Sequence, residues 1–329
     1  MNPTPRVTFL LSVRNAARTV GATIESILAQ TMSDWELLVL DAASTDATLC
    51  VIGGYRDSRI RVVASAYRQP LAESLNRGLA MARADYVARI DADDLCLPHR
   101  AGVQAEFLDA HEDMAVVGSQ IETFTNDGAA GPGEIFKIPF DPAVVAATLL
   151  LRNVIAHPSV MMRKSVLASH GLAYDRSLGH VEDYDLWARC VTARVGLANM
   201  SDVLVRYRIH AAQLTQCNAA KDSAAAAGVR KRLIGCLGLR PDAETLAIHE
   251  AIASDQFIAD AAFTSDAAQW LTDLAEANQR RRLFDHPALM RLLTGRFVSL
   301  CRFAARNFLP APDVQASPFT AWLHPGVQV

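Results

Sequence analysis

Residues 86–98 read YVARIDADDLCLP, and this stretch decides the fold. Residues 86–90 have the length of a core strand, and the run stops at Asp91. Three carboxylates, Asp91, Asp93 and Asp94, then fall within four residues. Pro98 opens a helix that carries Val103, Phe107 and Leu108 on one face. A strand, an acidic strand end and a covering helix form the repeating unit of a parallel sheet.

Working outward, the same alternation fills the first 120 residues. Val7–Val13 is a continuous apolar run, followed by Val20, Ile24, Ile27 and Leu28 at helical spacing. Residues 35–40 form a second run that ends at Asp41. Ser44, Thr45 and Asp46 offer N-caps for a helix through Ile52. Residues 59–63 predict a third strand, Leu71, Leu75 and Leu79 a helical face, and residues 115–118 a fifth strand. Strands that are apolar throughout belong to a mostly parallel sheet covered on both faces. The fold class is therefore α/β, a Rossmann-like central sheet flanked by helices.

Beyond residue 120 the alternation weakens. Residues 126–133 (NDGAAGPG) predict a turn-rich loop, 142–151 a helix and 159–163 a short strand. Residues 182–192 predict a helix with Leu186 and Cys190 or Val191 facing inward, and 197–209 an extended segment. From about 213 the chain is rich in Ala, Leu and Arg. Helices are predicted near 221–238, 242–254, 258–280 and 287–306, with no chemical motif among them. The tail after Pro310 is expected to be poorly ordered.

Composition excludes several classes. The 329 residues are 51% hydrophobic and 20% charged, with a net charge of -3, so disorder is excluded and a nucleic-acid partner disfavoured. The longest apolar run, 143–151, falls short of the roughly 18 residues a membrane span needs. Val7–Val13 lacks the basic flank of a signal peptide and reads as a core strand. Six cysteines without a C-x-x-C pair suit single thiols in a reducing, cytoplasmic setting.

In sheets of this kind a ligand sits beyond the carboxyl ends of the strands. Residues 12–15, 41–44 and 91–94 occupy those ends. Clustered Asp91, Asp93 and Asp94 repel one another unless a cation sits among them. An Asp-x-Asp loop suits a hard divalent ion completed by substrate phosphates, although a solvated acidic turn has the same composition. Asp41 reads either as a hydrogen-bond acceptor for a ribose or base, or as an Asx turn; Asp46 reads as the helix cap. Glu182 and Asp183 open a helix that also carries Asp185 and Trp187. Acids in a first turn are ordinary dipole partners. A loop over 171–179 could instead lay them over a cleft, where one acts as a general base.

Residues 7 to about 212 resemble the family 2 glycosyltransferases of GT-A fold. The matching strings are 7–15, IESILAQ at 24–30, DWELLVLDAASTD at 34–46 and LNRGL at 75–79. They continue with ARIDADDLCLP at 88–98, HPSVMMRKSVL at 157–167, VEDYDLW at 181–187 and VRYRIHAAQ at 205–213. Their order and spacing make the match specific.

The resemblance implies an inverting, metal-dependent transferase that moves a sugar from a nucleoside-diphosphate donor, UDP-sugar favoured. The acceptor would be a glycan or lipid-linked hydroxyl in surface polysaccharide synthesis. It implies that Asp93 and Asp91 hold Mg²⁺ or Mn²⁺, with His210 as a further ligand. Asp183 would be the general base, with Glu182 beside it. The nucleotide-sugar contacts would be Ser12, Arg14, Asn15, Asp41, Arg77, Asp91 and Ala92. Two strings depart from the family pattern. Ser12-Val13-Arg14-Asn15 stands where Pro-x-Tyr-Asn is usual, and Asp41-Ala42-Ala43-Ser44 where Asp-Asp-Gly-Ser is usual.

Two other readings compete. A degenerate binding or scaffold protein of the same fold would fit Arg14 and Ala42, but not the retention of Asp91, Asp93 and Asp183. A sugar-phosphate nucleotidylyltransferase would want a glycine-rich loop after the first strand, and residues 14–18 contain no glycine. The expected organisation is a GT-A-like domain over 1–212, with a donor half at 1–120 and an acceptor half at 121–212, and a helical extension over 213–329. Arg280, Arg281, Arg282, Arg291, Arg296 and Arg302 give that extension a basic character. This suits either peripheral docking at the inner face of a membrane or a solvated face.

Overall fold

The computed structural model describes residues 4–125, 133–209, 219–313 and 317–323. The chain divides into two compact units, one of residues 1–142 with 155–223, the other of residues 143–154 with 224–329. Residues 143–154 thus group with the C-terminal helices rather than with the sheet that precedes and follows them.

The first unit is built on one nine-stranded sheet. Its first half follows the predicted alternation: β1 (Val7–Val13), α1 (Val20–Leu28), β2 (Trp35–Asp41), α2 (Thr48–Gly53), β3 (Ile60–Ala64), α3 (Leu71–Met81) and β4 (Tyr86–Asp91). Strands β3, β2, β1 and β4 lie side by side and all parallel. Every residue of β2 and six of the seven in β1 are buried, as helices on both faces require. Helix α3 packs onto β1 through Gly78, where a Cβ would lie 2.2 Å from Leu10 Cδ1.

The second half is mixed. It comprises β5 (Leu95–Cys96), α4 (Arg100–Ala110), β6 (Met114–Phe124), β7 (Ile135–Phe136), β8 (Met161–Arg163), α6 (Lys164–Ser169), α7 (Glu182–Thr192) and β9 (Gly196–Arg208). Strand β8 joins the halves, antiparallel to both β4 and β6, while β6 runs parallel to β9. The sheet is continuous in the order β3-β2-β1-β4-β8-β6-β9-β5, with β7 on β6.

Three local readings of the sequence need correction. The two-residue β5 was not anticipated; it adds to the far edge by pairing Leu95 with Arg206 and Cys96 with Val205. Strand β6 continues to Phe124, well past Gly118, because its polar residues pair with the long β9. Helix α4 begins at Arg100 rather than at Pro98, whose carbonyl accepts from the Thr31 amide. The predicted loop at 126–133 falls, apart from Gly133, outside the described residues.

In the second unit, α5 (Pro142–Thr148) leads into the apolar residues Leu149, Leu150 and Leu151, all fully buried. Four helices accompany it: α8 (Ala219–Cys236), α9 (Ala243–Ser254), α10 (Ala261–Arg281) and α11 (His286–Arg306). Asp242, Asp260 and Asp285 cap the last three, each accepting from the backbone three residues on. His249 sits buried between Leu150 and Trp270. Its Nε2 donates to the Leu150 carbonyl at 3.1 Å and its Nδ1 accepts from Trp270 Nε1 at 3.1 Å. Arg230 pairs with Glu250 and reaches the Leu151 carbonyl.

The tail departs from expectation. A 3₁₀ turn at Thr320–Trp322 follows Phe319, which is fully buried with its ring 5.1 Å from that of Phe297. Apolar burial thus orders part of a segment that its prolines had marked as loose. Among the described residues, no helix is long and apolar enough to cross a membrane.

Candidate active site

The strand register sets the site's floor. Ser12 lies beside Asp91 on one side and Leu40 on the other, and Val13 lies beside Asp41. The acidic ends of β2 and β4 therefore flank the end of β1.

Side chains tie the loops after β1 and β2 together. Asn15 adopts a left-handed conformation (φ 53°), and its Oδ1 accepts from the Thr45 amide at 2.8 Å. The Asn15 amide donates to Ser44 Oγ and the Ala17 amide to Asp46 Oδ2. Asp46 also caps α2, accepting from the Thr48 amide at 3.0 Å. Asp41 Oδ2 accepts from the Ser44 amide at 3.1 Å, an Asx-type turn, whereas Oδ1 is buried without a hydrogen bond. Arg14 is exposed, and Ser12 and Ala92 are half-buried.

The acidic loop is a true cluster. Asp91, Asp93 and Asp94 each present a carboxylate oxygen, all within 4.8 Å of one another. Asp94 is fully buried; one oxygen accepts from the Arg208 amide at 2.9 Å and the other has no hydrogen bond. Burial first, then the charges of Asp91 and Asp93, push its carboxyl well above the ordinary range. Asp91 is also pushed up by burial, opposed chiefly by Arg89. Arg89 is buried in β4, and both of its terminal nitrogens bind Asp91, at 2.6 and 2.5 Å. An orphaned buried oxygen in a knot of three hard oxygen donors is the arrangement a divalent cation would satisfy, so these residues fit such an ion.

Helix α7 brings a second set of acids. Asn76 of α3 bonds both backbone groups of Tyr174, at 2.8 and 2.9 Å, and so fixes the loop that leads to α7. Gly179 turns that loop in a left-handed conformation just before the helix. Asp183 is half-buried, and its Oδ1 accepts from the Tyr184 amide. Glu182 is buried, with Oε2 lacking a hydrogen bond and Oε1 3.8 Å from His157 Nδ1. Burial first, then Asp183, with a smaller push from Asp91, raises the Glu182 carboxyl to about 8 against the opposing charge of Arg89. Asp185 has a structural role, paired with Arg189 one turn on.

Asp91 acts on Glu182, with Asp93 beside the first and Asp183 beside the second. Arg77 lines a cavity of about 540 Å³ at the end of β3. His210 lies outside the described residues.

Sequence reasoning missed three participants. Arg89 interrupts an otherwise apolar strand, and that interruption was its signal. His157 and Tyr174 hydrogen-bond at 3.0 Å (Nε2 to hydroxyl), 17 residues apart in the chain. Burial and Arg89 push the His157 imidazole well below its ordinary pKa, so it is neutral. His157 lies at the start of the HPSVMMRKSVL string.

Comparison with known proteins gives a consistent picture. A family model described as glycosyl transferase family 2 matches residues 8–171. The putative glycosyltransferase EpsE of Bacillus subtilis is 34% identical over 63% of this chain and 74% of its own length. WfaP of Escherichia coli, named a UDP-Glc:alpha-D-GlcNAc-diphosphoundecaprenol beta-1,3-glucosyltransferase, is 26% identical over 64% of this chain and 79% of its own. The crystal structure of S. aureus TarS 1-349 in complex with UDP-GlcNAc has a similar fold. It aligns with a TM-score of 0.55 at 16% identity, over 92% of this chain and 88% of its own.

Proposed function

The chain belongs to glycosyl transferase family 2, and from that membership we propose an inverting, metal-dependent transfer of a sugar from a nucleoside-diphosphate donor, UDP-sugar favoured. The acceptor is a hydroxyl of a glycan or lipid-linked oligosaccharide in surface polysaccharide synthesis. A lipid-linked acceptor would have the enzyme work in the cytoplasm, at the inner face of a membrane.

One observation carries this reading. Asp91 of the acidic loop and Asp183, some ninety residues downstream, both act on the buried carboxyl of Glu182, and Arg89 acts on it with the opposite sign. Acids for the leaving group and an acid for the acceptor are what this reaction requires in one place.

Asp93 and Asp91 would hold Mg²⁺ or Mn²⁺, which when bound offsets the negative charge developing on the departing diphosphate. Arg89 holds Asp91 in a fixed plane and opposes the upward push that burial gives its carboxyl. Asp183, half-buried, meets the acceptor hydroxyl and takes its proton as that oxygen attacks the anomeric carbon. The new bond to the anomeric carbon forms as the bond to the diphosphate oxygen breaks, and the proton ends on Asp183. One base with no enzyme nucleophile gives inversion. The loop crosslink of Asn15 with Ser44 and Thr45 keeps the donor side rigid, so that placement of donor and acceptor lowers the barrier. The name of WfaP, with its UDP-Glc donor and diphosphoundecaprenol-linked acceptor, supports both classes, and the UDP-GlcNAc bound to TarS supports the donor.

Asp183→Asn tests the reading. It is expected to abolish transfer and donor hydrolysis in the presence of Mn²⁺ while leaving UDP affinity within about threefold. Near-normal transfer in that variant refutes the base assignment, and no release of nucleoside diphosphate by the native chain refutes turnover itself.

A further inference from the structure

We propose that the exposed ring of Tyr67 is the platform on which the donor's nucleobase stacks, in the cavity at the end of β3. The proposal rests on the nucleotide-sugar reading above and names a residue that the reading did not include.

Position comes first. The wall of the cavity is formed by Ala64, Ser65 and Ala66, as β3 leaves the sheet. The register sets Asp41 directly beside Ala64, and the Ser65 amide donates to the Asp41 carbonyl at 2.8 Å. The cavity therefore adjoins the strand end that carries a buried carboxylate oxygen without a hydrogen bond. Its volume, about 540 Å³, is within the ordinary range for a small-molecule site.

Composition comes second. The residues that follow β1, β2, β3 and β4 at this edge of the sheet are 14–18, 42–46, 65–69 and 92–95. Tyr67 is the one aromatic among them. A planar heterocycle bound beside Asp41 has this ring within the same cavity and no other aromatic on these loops.

Preorganisation comes third. Tyr67 is 59% exposed, yet its hydroxyl is held from two sides. It donates to Glu73 Oε1 at 3.1 Å and accepts from Gln69 Nε2 at 3.3 Å. A ring anchored at its tip, with its body in water, has already lost rotamer freedom and still has apolar surface to cover. A stacked base would cover it at little further entropic cost. Arg77 and Arg176 line the same cavity and have no hydrogen bond or ion pair among the described residues. They are free to meet carbonyl or phosphate oxygens. A ring with an imide N–H between two carbonyls, as in uracil, fits this set: the N–H toward Asp41, the carbonyls toward cations and the face on Tyr67.

The test uses the full chain with Mn²⁺, and titrates UDP into the native protein, Tyr67→Ala and Tyr67→Phe by calorimetry. Stacking on one aromatic is worth about 1–3 kcal/mol per base, so Tyr67→Ala should weaken UDP about ten- to hundredfold. Tyr67→Phe should stay within about threefold. Tyr67 is exposed, so a melting temperature close to native is expected and shows that the fold is intact. A Tyr67→Ala affinity within twofold of native overturns the proposal. So does an equal loss in Tyr67→Phe, which would assign the effect to the hydroxyl. A native chain that binds no nucleoside diphosphate overturns the donor reading and this proposal together; a native chain that binds UDP alongside an unaffected Tyr67→Ala overturns this proposal alone.

Discussion

Replacing Glu182 by glutamine should stabilise the protein, and increasingly so as pH rises. The folded carboxyl titrates at about 8 instead of the ordinary 4.5, because it is buried beside Asp183 with one oxygen lacking a partner. Below pH 4.5 both folded and unfolded chains carry the proton. Between 4.5 and 8 the unfolded chain releases it and the folded one does not, so stability falls as pH rises. At about 1.4 kcal/mol per pH unit, the full span amounts to about 5 kcal/mol, an upper limit reached above pH 8. Glutamine has the same shape and no charge to bury. Denaturant midpoints for the two proteins should differ by under about 1 kcal/mol at pH 5 and by several at pH 9. Parallel stability curves across this range would show that the native carboxylate is solvated or paired, and the reasoning would fail. An acid that costs the fold this much at neutral pH has its rationale in the site, so the stabilised variant should also transfer more slowly.

Other perturbations follow from the same geometry. Asp93→Ala should remove the Mn²⁺-dependent part of the thermal shift produced by UDP; an identical shift with and without Mn²⁺ in both proteins would refute the cation role. His249 titrates at about 4 instead of 6.5 because it is buried, so its contribution is fully present above pH 6.5 and is lost as pH falls toward 4. That loss is about 3 kcal/mol, read as smaller hydrogen-exchange protection factors in α9 and α10 at pH 4.5 than at pH 6.5; protection factors that stay constant across this range would contradict it. Phe319→Ala should cost about 3–5 kcal/mol in the second unit and loosen α11 near Phe297. A loss under 1 kcal/mol would mean that the docked turn contributes little.

The features that depend on local pattern were readable in the chain. Apolar runs with abrupt polar ends gave β1, β2 and β4 nearly to the residue, since burial on both faces leaves no polar alternation to blur them. The run from Glu182 to Thr192 matches α7 end to end because its inward positions recur at helical spacing. The site's acids were visible for the same reason: carboxylates at strand ends and at a helix start stand out against apolar neighbours. What the sequence hid is tertiary. Arg89 reads as a flaw in a strand until Asp91 is seen to hold both of its terminal nitrogens. His157, Tyr174 and Glu182 meet only after the 171–179 loop is pinned by Asn76. Strand β5, two residues long, exists only because β9 offers an edge, and no pattern can mark so short a pairing. Residues 143–154 announce that they are buried without saying which body buries them.

That last segment has a consequence for how the protein is made. The ribosome releases residues 143–154 long before α9 and α10, the helices that hold them through His249. Some one hundred residues must be added first, which at about 5–20 residues per second takes on the order of ten seconds. Throughout that interval Val145, Leu149, Leu150 and Leu151 have no cover, though the sheet on either side of them is already emerging. A chain stopped near residue 223 would leave them bare permanently. Such a truncation should be sticky and dependent on chaperones rather than a freestanding half.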